Sequence, residues 1–301
     1  MYAPLPLTLR QLQYVVAIAD TGSFRAAAER CHVALPSVSA QVAAMEEALG
    51  VVLFERGPRF VRPTPAGEVF AARGRRLLRD AHDLADFARR HKDPLSGPIR
   101  LGIIPTVAPY LLPALTTALS RARTDAAPRW REDRTATLVR LVDDGELDAI
   151  VLAEDPALGH LDRLPLGHDP FVLCLPRNHR LAGGTTPVEL ADVADTPFLL
   201  LDEGHCLRDQ ALTWCSRTGA RESDFRATSL PTLVQMVAGG AGLTLLPQSA
   251  VPSEARRGDV ALRPIAPPTP SRELVLAWRR ASVVAEAMGE LGELFARAVR
   301  G

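Results

Sequence analysis

Apolar residues at positions 9, 12, 15, 16 and 19 recur at helical spacing and predict a helix over Leu9 to Ala19. Gly22 ends it, and Ser23 can cap a second helix, Phe24 to Cys31. A short turn, His32 to Leu35, leads to Pro36 at the first position of a third helix. That helix carries Val38, Val42, Met45 and Leu49 and stops at Gly50. From Thr64 to about Lys92 one long helix is predicted. In it Phe70, Gly74, Leu77, Ala81, Leu84 and Ala88 follow the 4-3-4-3-4 spacing of a coiled-coil seam. Asp93-Pro94-Leu95-Ser96-Gly97-Pro98 reads as a hinge by composition.

Beyond the hinge the pattern changes. Ile99–Ile104, Ala149–Ala153, Phe171–Leu175, Phe198–Leu201, Leu243–Leu246 and Leu274–Trp278 are short apolar runs, which predict buried parallel strands. Helical stretches fall between them at Tyr110–Arg121, Thr135–Asp143 and Leu230–Ala238. Alternation of this kind is an α/β plan, and residues 99–301 suit two lobes around a cleft. Lobe one is placed at about 99–168 plus 271–301, and lobe two at about 169–270.

Two of the N-terminal helices joined by a tight turn form a helix-turn-helix plan, whose second helix enters the major groove of DNA. Ser37, Ser39 and Gln41 lie in its N-terminal half, where side chains meet phosphates or base edges. An ordinary helical bundle would share the pattern. Charge adds a little: the whole chain is neutral, but residues 1–92 carry 13 Lys+Arg against 9 Asp+Glu. No charged n-region precedes an apolar core, and no run of 18 apolar residues occurs, so neither a signal peptide nor a membrane span is expected. The expected compartment is the cytoplasm, where thiols are kept reduced and a disulfide acts as a signal rather than a staple.

That matters for Gly204 to Cys215, GHCLRDQALTWC, which holds two of the four cysteines. The run from Cys206 to Cys215 has no Gly or Pro and reads as a helix. Nine rises of ~1.5 Å then separate the two residues by about 13.5 Å, whereas a disulfide needs Cα atoms within roughly 7 Å. A helix through both and a bond between them exclude each other. Cys206 falls at a helix start, beside His205 and two positions before Arg208, conditions that lower a thiol pKa. Cys215 lies on a stripe with Leu207, Ala211 and Trp214 and is expected to be buried and quiet. The plainer alternative is that both are small core residues, as Cys31 and Cys174 are expected to be. A metal site is disfavoured, because adjacent His and Cys lack ligand spacing and no CxxC or HxxxH run completes a set. No cofactor is implied.

The run FRAAAERCHVALPSVSAQVAAMEEALGVVLFER resembles the N-terminal domain of LysR-type transcriptional regulators along its whole length. The resemblance implies a winged helix-turn-helix over residues 7–64, a linker and dimerisation helix over 65–92, a hinge over 93–98 and a two-lobed regulatory domain over 99–301. GVVLFERGPRFVRPTPAG would be the wing, with Arg56, Arg59 and Arg62 suited to phosphate or minor-groove contacts. The family often has Gln where Leu35 stands and Arg where Ala40 stands, so the reading surface departs from the pattern. GIIPTVAPYLLP, LDEGHCLRDQALTWC, FRATSL and AGGAGLTLLP narrow the resemblance to the peroxide-sensing members. It implies that Cys206 is the peroxide-reacting thiol and Cys215 its resolving partner. Thr106, Thr135, His205 and Arg208 are the implied peroxide-pocket residues. The implied partners are double-stranded DNA of two-fold character, RNA polymerase, hydrogen peroxide as signal, and further copies of the chain, a dimer of dimers. The competing readings are a LysR-type regulator of a small metabolite and a thiol peroxidase using Cys206; a peroxidase would cycle under excess reductant, whereas a sensor would not.

Overall fold

Thr8 caps α1 (Leu9–Thr21) through reciprocal bonds with Gln11, and Gly22, at φ 62°, ends it. Ser23 accepts from the Ala26 N–H and caps α2 (Phe24–Arg30). α3 (Leu35–Leu49) begins one residue before Pro36 and stops at Gly50. Val15, Ile18, Ala27, Val38, Val42 and Met45 close the core between them. β1 (Phe54–Arg56) and β2 (Val61–Pro63) pair antiparallel as a wing. α4 (Pro65–Arg90) follows, and its first turns pack on this core. A Cβ at Gly67 would stand 2.0 Å from the Leu53 carbonyl oxygen, so only glycine allows that approach. Phe70 and Gly74 pack within the domain, whereas Leu77 and Leu84 are 53% and 71% exposed. The expected seam is therefore divided: its first residues belong to the domain's own core and its middle is uncovered.

The molecule is a computed structural model that describes residues 5–57, 60–90, 95, 97–123, 126–219, 221–280, 282 and 284–300. Arg59, Asp93, Pro94, Ser96 and the side chain of Ala88 lie outside the described residues. The chain divides into two compact units, residues 1–89 and 90–301. Gly97 and Pro98, expected in the hinge, instead open a strand.

In the second unit the elements run β3 (Gly97–Ile103), α5 (Ala108–Ala122), β4 (Ala126–Glu132), α6 (Thr135–Asp143), β5 (Ala149–Ala153) and the long β6 (Asp162–Pro176). Then come β7 (Pro197–Leu201), α7 (Cys206–Thr218), β8 (Arg221–Ala227), α8 (Leu230–Ala238), β9 (Thr244–Pro247) and one-turn α9 (Val251–Glu254). β10 (Val260–Arg263), β11 (Ser271–Trp278) and α10 (Met288–Arg300) complete it. The main sheet has the order β10-β6-β11-β5-β3-β4, with β9 also on β6, and β7 and β8 form a second, parallel pair.

β6 belongs to both lobes. Residues 162–170 pair with β11, and residues 171–176 pair with β9 and β10. One core gathers around β3, β5 and β11, and a second around β7, α8 and the far half of β6. Only part of the sheet is parallel: β3 with β4 and β5. The runs at Phe171–Leu175, Leu243–Leu246 and Leu274–Trp278, expected to be parallel, pair antiparallel instead. A strand buried on both faces reads as a continuous apolar run whichever way its neighbour points, so the pattern carries no direction.

Candidate functional site

α7 starts at the junction of the two lobes. Gly204 takes φ 85°, which turns the chain into the helix, and a Cβ there would press on the Arg134 side chain at 3.2 Å. His205 follows as the N-cap residue and Cys206 is the first helical residue. The unbroken helix then sends the two thiols to opposite sides. Cys206 packs into the first core and Cys215 into the second, beside Trp214 and Phe198, whose rings lie 5.4 Å apart. Both cysteines are free and buried, 6% and 5% exposed.

Cys206 lies in the wall of a narrow surface recess shared with Thr106, Arg134, Thr135, Gly204 and His205. Thr106 follows β3 and Thr135 opens α6, so strand ends of lobe one face the start of α7. Arg272 Nη1 donates to Thr106 Oγ1 at 2.9 Å, and its Nη2 donates to the Thr106 carbonyl at 3.0 Å. With its oxygen so engaged, the Thr106 hydroxyl keeps its own proton to donate elsewhere. Thr135 Oγ1 is buried and finds no nitrogen or oxygen partner; its neighbour is the Cys206 sulfur, whose thiolate it favours. His205 Nε2 is likewise buried without a partner.

Burial pushes the Cys206 thiol up, and the Arg272 guanidinium is the largest influence opposing it. The Leu207 N–H and the Thr135 hydroxyl add to that opposition, while Asp155 works against it. Burial and Glu222 push Cys215 up to about 12. Burial, then Arg134, hold His205 below the ordinary histidine value, so its imidazole is neutral at pH 7.

These facts revise the expected activation of Cys206. His205 brings no charge. Arg208 does not reach the recess: its Nη2 pairs with Glu222 at 2.7 Å and its Nη1 donates to the Leu201 carbonyl at 3.2 Å. The positive charge comes from Arg272, 1% exposed and anchored to Asp169 at 2.9 Å. Asp169 in turn accepts from the Ser249 N–H at 2.9 Å and hydroxyl at 2.7 Å, so the buried pair is fully bonded and spans both lobes. Arg134 at the mouth, 3.5 Å from Asp202, is also new. In the sequence Arg272 stands two positions before the apolar run of Leu274–Trp278, next to Glu273, and nothing local marks it out.

In the first unit, Ser37 and Gln41 are exposed on α3 and Ser39 is half-buried. Gln41 Oε1 accepts from Gln11 Nε2 at 3.2 Å. Arg56 is tied back, 3.1 Å from Glu46 and 4.6 Å from the Phe24 ring centre. Arg62 stacks over Phe60 at 5.3 Å.

A family model described as a bacterial regulatory helix-turn-helix protein of the lysR family matches residues 9–68, and the LysR substrate binding domain matches residues 92–300. The chain belongs to the LysR family. Within that family it is 39% identical over 288 residues to the DNA-binding transcriptional dual regulator OxyR of Escherichia coli K12, covering 95% of this chain and 94% of the relative. A full-length OxyR structure from Pseudomonas aeruginosa superposes with a TM-score of 0.74 at 34% identity, covering 99% of this chain and 96% of that one. A hydrogen-peroxide-bound OxyR mutant from Corynebacterium glutamicum gives 0.65 at 35% identity, covering 99% and 96%. As a LysR regulator the chain carries its effector domain in the unit that holds the Cys206 recess. Among the described residues no helix is long and apolar enough to cross a membrane, and no His, Cys, Asp or Glu cluster could hold a metal ion.

Proposed function

We propose that the protein is a hydrogen-peroxide-sensing, DNA-binding transcriptional regulator of oxidative-stress genes, switched by a disulfide between Cys206 and Cys215. The observation that carries this reading is the Cys206 recess. A buried thiol there shares its recess with Thr106 and Thr135, the Arg272 guanidinium bonds to Thr106 and acts on the thiol through its charge, and two of the polar atoms around the thiol lack partners. The unpartnered Thr135 hydroxyl and His205 nitrogen beside the thiol suit a small polar reactant, for which the recess must open slightly.

The Cys206 thiolate attacks one peroxide oxygen, the O–O bond breaks, and the second oxygen leaves as hydroxide and takes up a proton as water. Hydroxyl donors from Thr106 and Thr135 stabilise the leaving oxygen, and Arg272 supports the thiolate. Neutral His205 can hold or pass a proton. Cys206 becomes a sulfenic acid. The Cys215 thiolate then attacks that sulfur, a second hydroxide leaves, and the disulfide forms. The balance is two thiols oxidised and one peroxide reduced to two waters. Arg208 acts at one remove, holding α7 to Leu201 and Glu222.

The unbroken α7 holds the two Cα atoms about 13.5 Å apart, so the bond requires unwinding it. That withdraws side chains from two cores at once, a large enough change to move a subunit contact. The uncovered Leu77 and Leu84 support pairing of α4 between copies. Two reading heads on a two-fold site, a dimer of dimers and a contact with RNA polymerase complete the reading. Ser37, Ser39, Gln41, Arg56 and Arg62 are the proposed DNA contacts among the described residues.

The test is mass spectrometry of the peroxide-treated full chain, with thiols mapped by alkylation. A Cys206–Cys215 bond, lost in Cys206→Ser, is expected. A bond elsewhere, or none, returns the protein to metabolite sensing, and rapid turnover under excess reductant would make it a peroxidase.

A further inference from the structure

The part of α3 that a DNA groove would meet is almost devoid of the usual base-reading side chains. Pro36, Ala40, Ala43 and Ala44 are exposed along its outer face, and Leu35, 43% exposed, projects from the first turn. Across Leu35–Leu49 there is no Arg, Lys or Asn. Glu46 is turned inward and accepts from the Leu53 and Phe54 N–H groups at 2.7 and 3.2 Å. Gln41 could form a two-point bond to adenine, but its Oε1 already accepts from Gln11. Ser37 and Ser39 bond to donors and acceptors alike and separate bases poorly. What remains is an apolar face of small side chains, which lets the helix backbone sink close to the base edges. One longer aliphatic group stands at its leading end.

In the major groove a single apolar feature distinguishes the bases, the C5-methyl group of thymine. We infer that α3 reads its site through thymine methyl groups, with Leu35 as the principal specificity residue and the Pro36–Ala40–Ala44 face packed around it. The inference rests on the DNA-binding reading above and deepens it by naming what α3 recognises. It assigns affinity to the arginines of the wing and sequence preference to carbon contacts.

The test uses the full-length protein and a random duplex library to select a preferred duplex. In that duplex each thymine is replaced singly by uracil, which keeps every hydrogen bond and removes only the methyl. Binding is measured for the wild type, Leu35→Ala and Leu35→Gln. Burying one methyl contributes about fourfold in affinity. Uracil at one or more positions of each half-site is expected to weaken the wild type by about that factor and to leave Leu35→Ala unchanged there. Leu35→Gln, which replaces the carbon contact with a polar amide, is expected to lose the uracil penalty at the same positions as Leu35→Ala and, in its own library selection, to shift its preference toward adenine. Leu35 is exposed, so thermal melting of all three should coincide. Tight wild-type binding indifferent to every uracil would overturn the inference while leaving DNA binding intact. Equal uracil penalties in wild type and Leu35→Ala would overturn the role of Leu35. Failure to enrich any duplex would overturn both this inference and the reading beneath it.

Discussion

Cys206 and Cys215 share one helix and lie in two different cores, Cys206 among lobe-one residues and Cys215 against Trp214 in lobe two. α7 is thus a bolt between the lobes rather than a surface helix. A bond between its two thiols shortens a span the helix holds open, and it withdraws either or both residues from their packing.

Oxidation should therefore melt α7 locally. Amide exchange over residues 206–218 is expected to accelerate after peroxide treatment, while β3, β5 and β11 keep their protection. Cys215→Ser protein, stopped at sulfenic acid, should retain the protected helix. Unchanged protection in oxidised protein with the bond mapped would contradict the unwinding.

The raised Cys206 thiol sets the pH dependence of the reaction. Below its pKa the thiolate fraction grows tenfold per pH unit, so the rate constant for oxidation by peroxide should climb steadily from pH 7 to 9 without a plateau. Cys215 supplies a stability signature of opposite use. Its folded value of about 12 exceeds the ordinary 9.0, so the folded state keeps a proton the unfolded chain has lost. The stability this contributes is complete below pH 9 and is lost as pH rises toward 12. Cys215→Ala should unfold less steeply over that alkaline range than the wild type does. An early plateau in the rate, or identical alkaline unfolding, would disagree.

Much of this fold is legible in the apolar pattern. Thr135–Asp143 and Leu230–Ala238 read as helices from their spacing and are α6 and α8 with those limits. β4, AAPRWRE, and β8, RESDFRA, escape because each alternates charged residues toward solvent and is too polar to stand out. The strand directions escape because burial on both faces erases them. At the site, adjacency in sequence misled. His205 and Arg208 sit beside Cys206 in the chain, but one is neutral and the other is spent on Glu222. The charge that counts arrives on β11, brought in by sheet pairing, and no local reading of GHCLRDQA contains it.

Arg272 and Asp169 are each almost fully buried, so removing one leaves an unpaired charge inside the protein. Arg272→Met should cost about 3–5 kcal/mol of stability, whereas pairing it with Asp169→Leu should recover most of that loss. Peroxide reactivity should not recover with it, because the guanidinium that supports the thiolate is still absent. Urea unfolding and oxidation rate, measured on the same three proteins, separate the two roles. If the double variant regained both, Arg272 would be structural alone.

The two threonines of the recess offer the sharpest contrast. Thr135 Oγ1 has no nitrogen or oxygen partner, so Thr135→Val removes a donor that stabilises nothing but the Cys206 sulfur and its reactant. Stability should be unchanged or slightly higher, while the oxidation rate falls by about 10²–10³-fold, the scale on which one oriented donor acts. Thr106 Oγ1 accepts from Arg272, so Thr106→Val also strands a buried donor and should lose about 1–3 kcal/mol of stability. Its rate should fall as well, since the same hydroxyl donates toward the recess. Thr106→Ser, which keeps the hydroxyl, should restore much of both. Two equally stable variants would mean that the Arg272 bond is dispensable, and an undiminished rate in Thr135→Val would remove that hydroxyl from the chemistry.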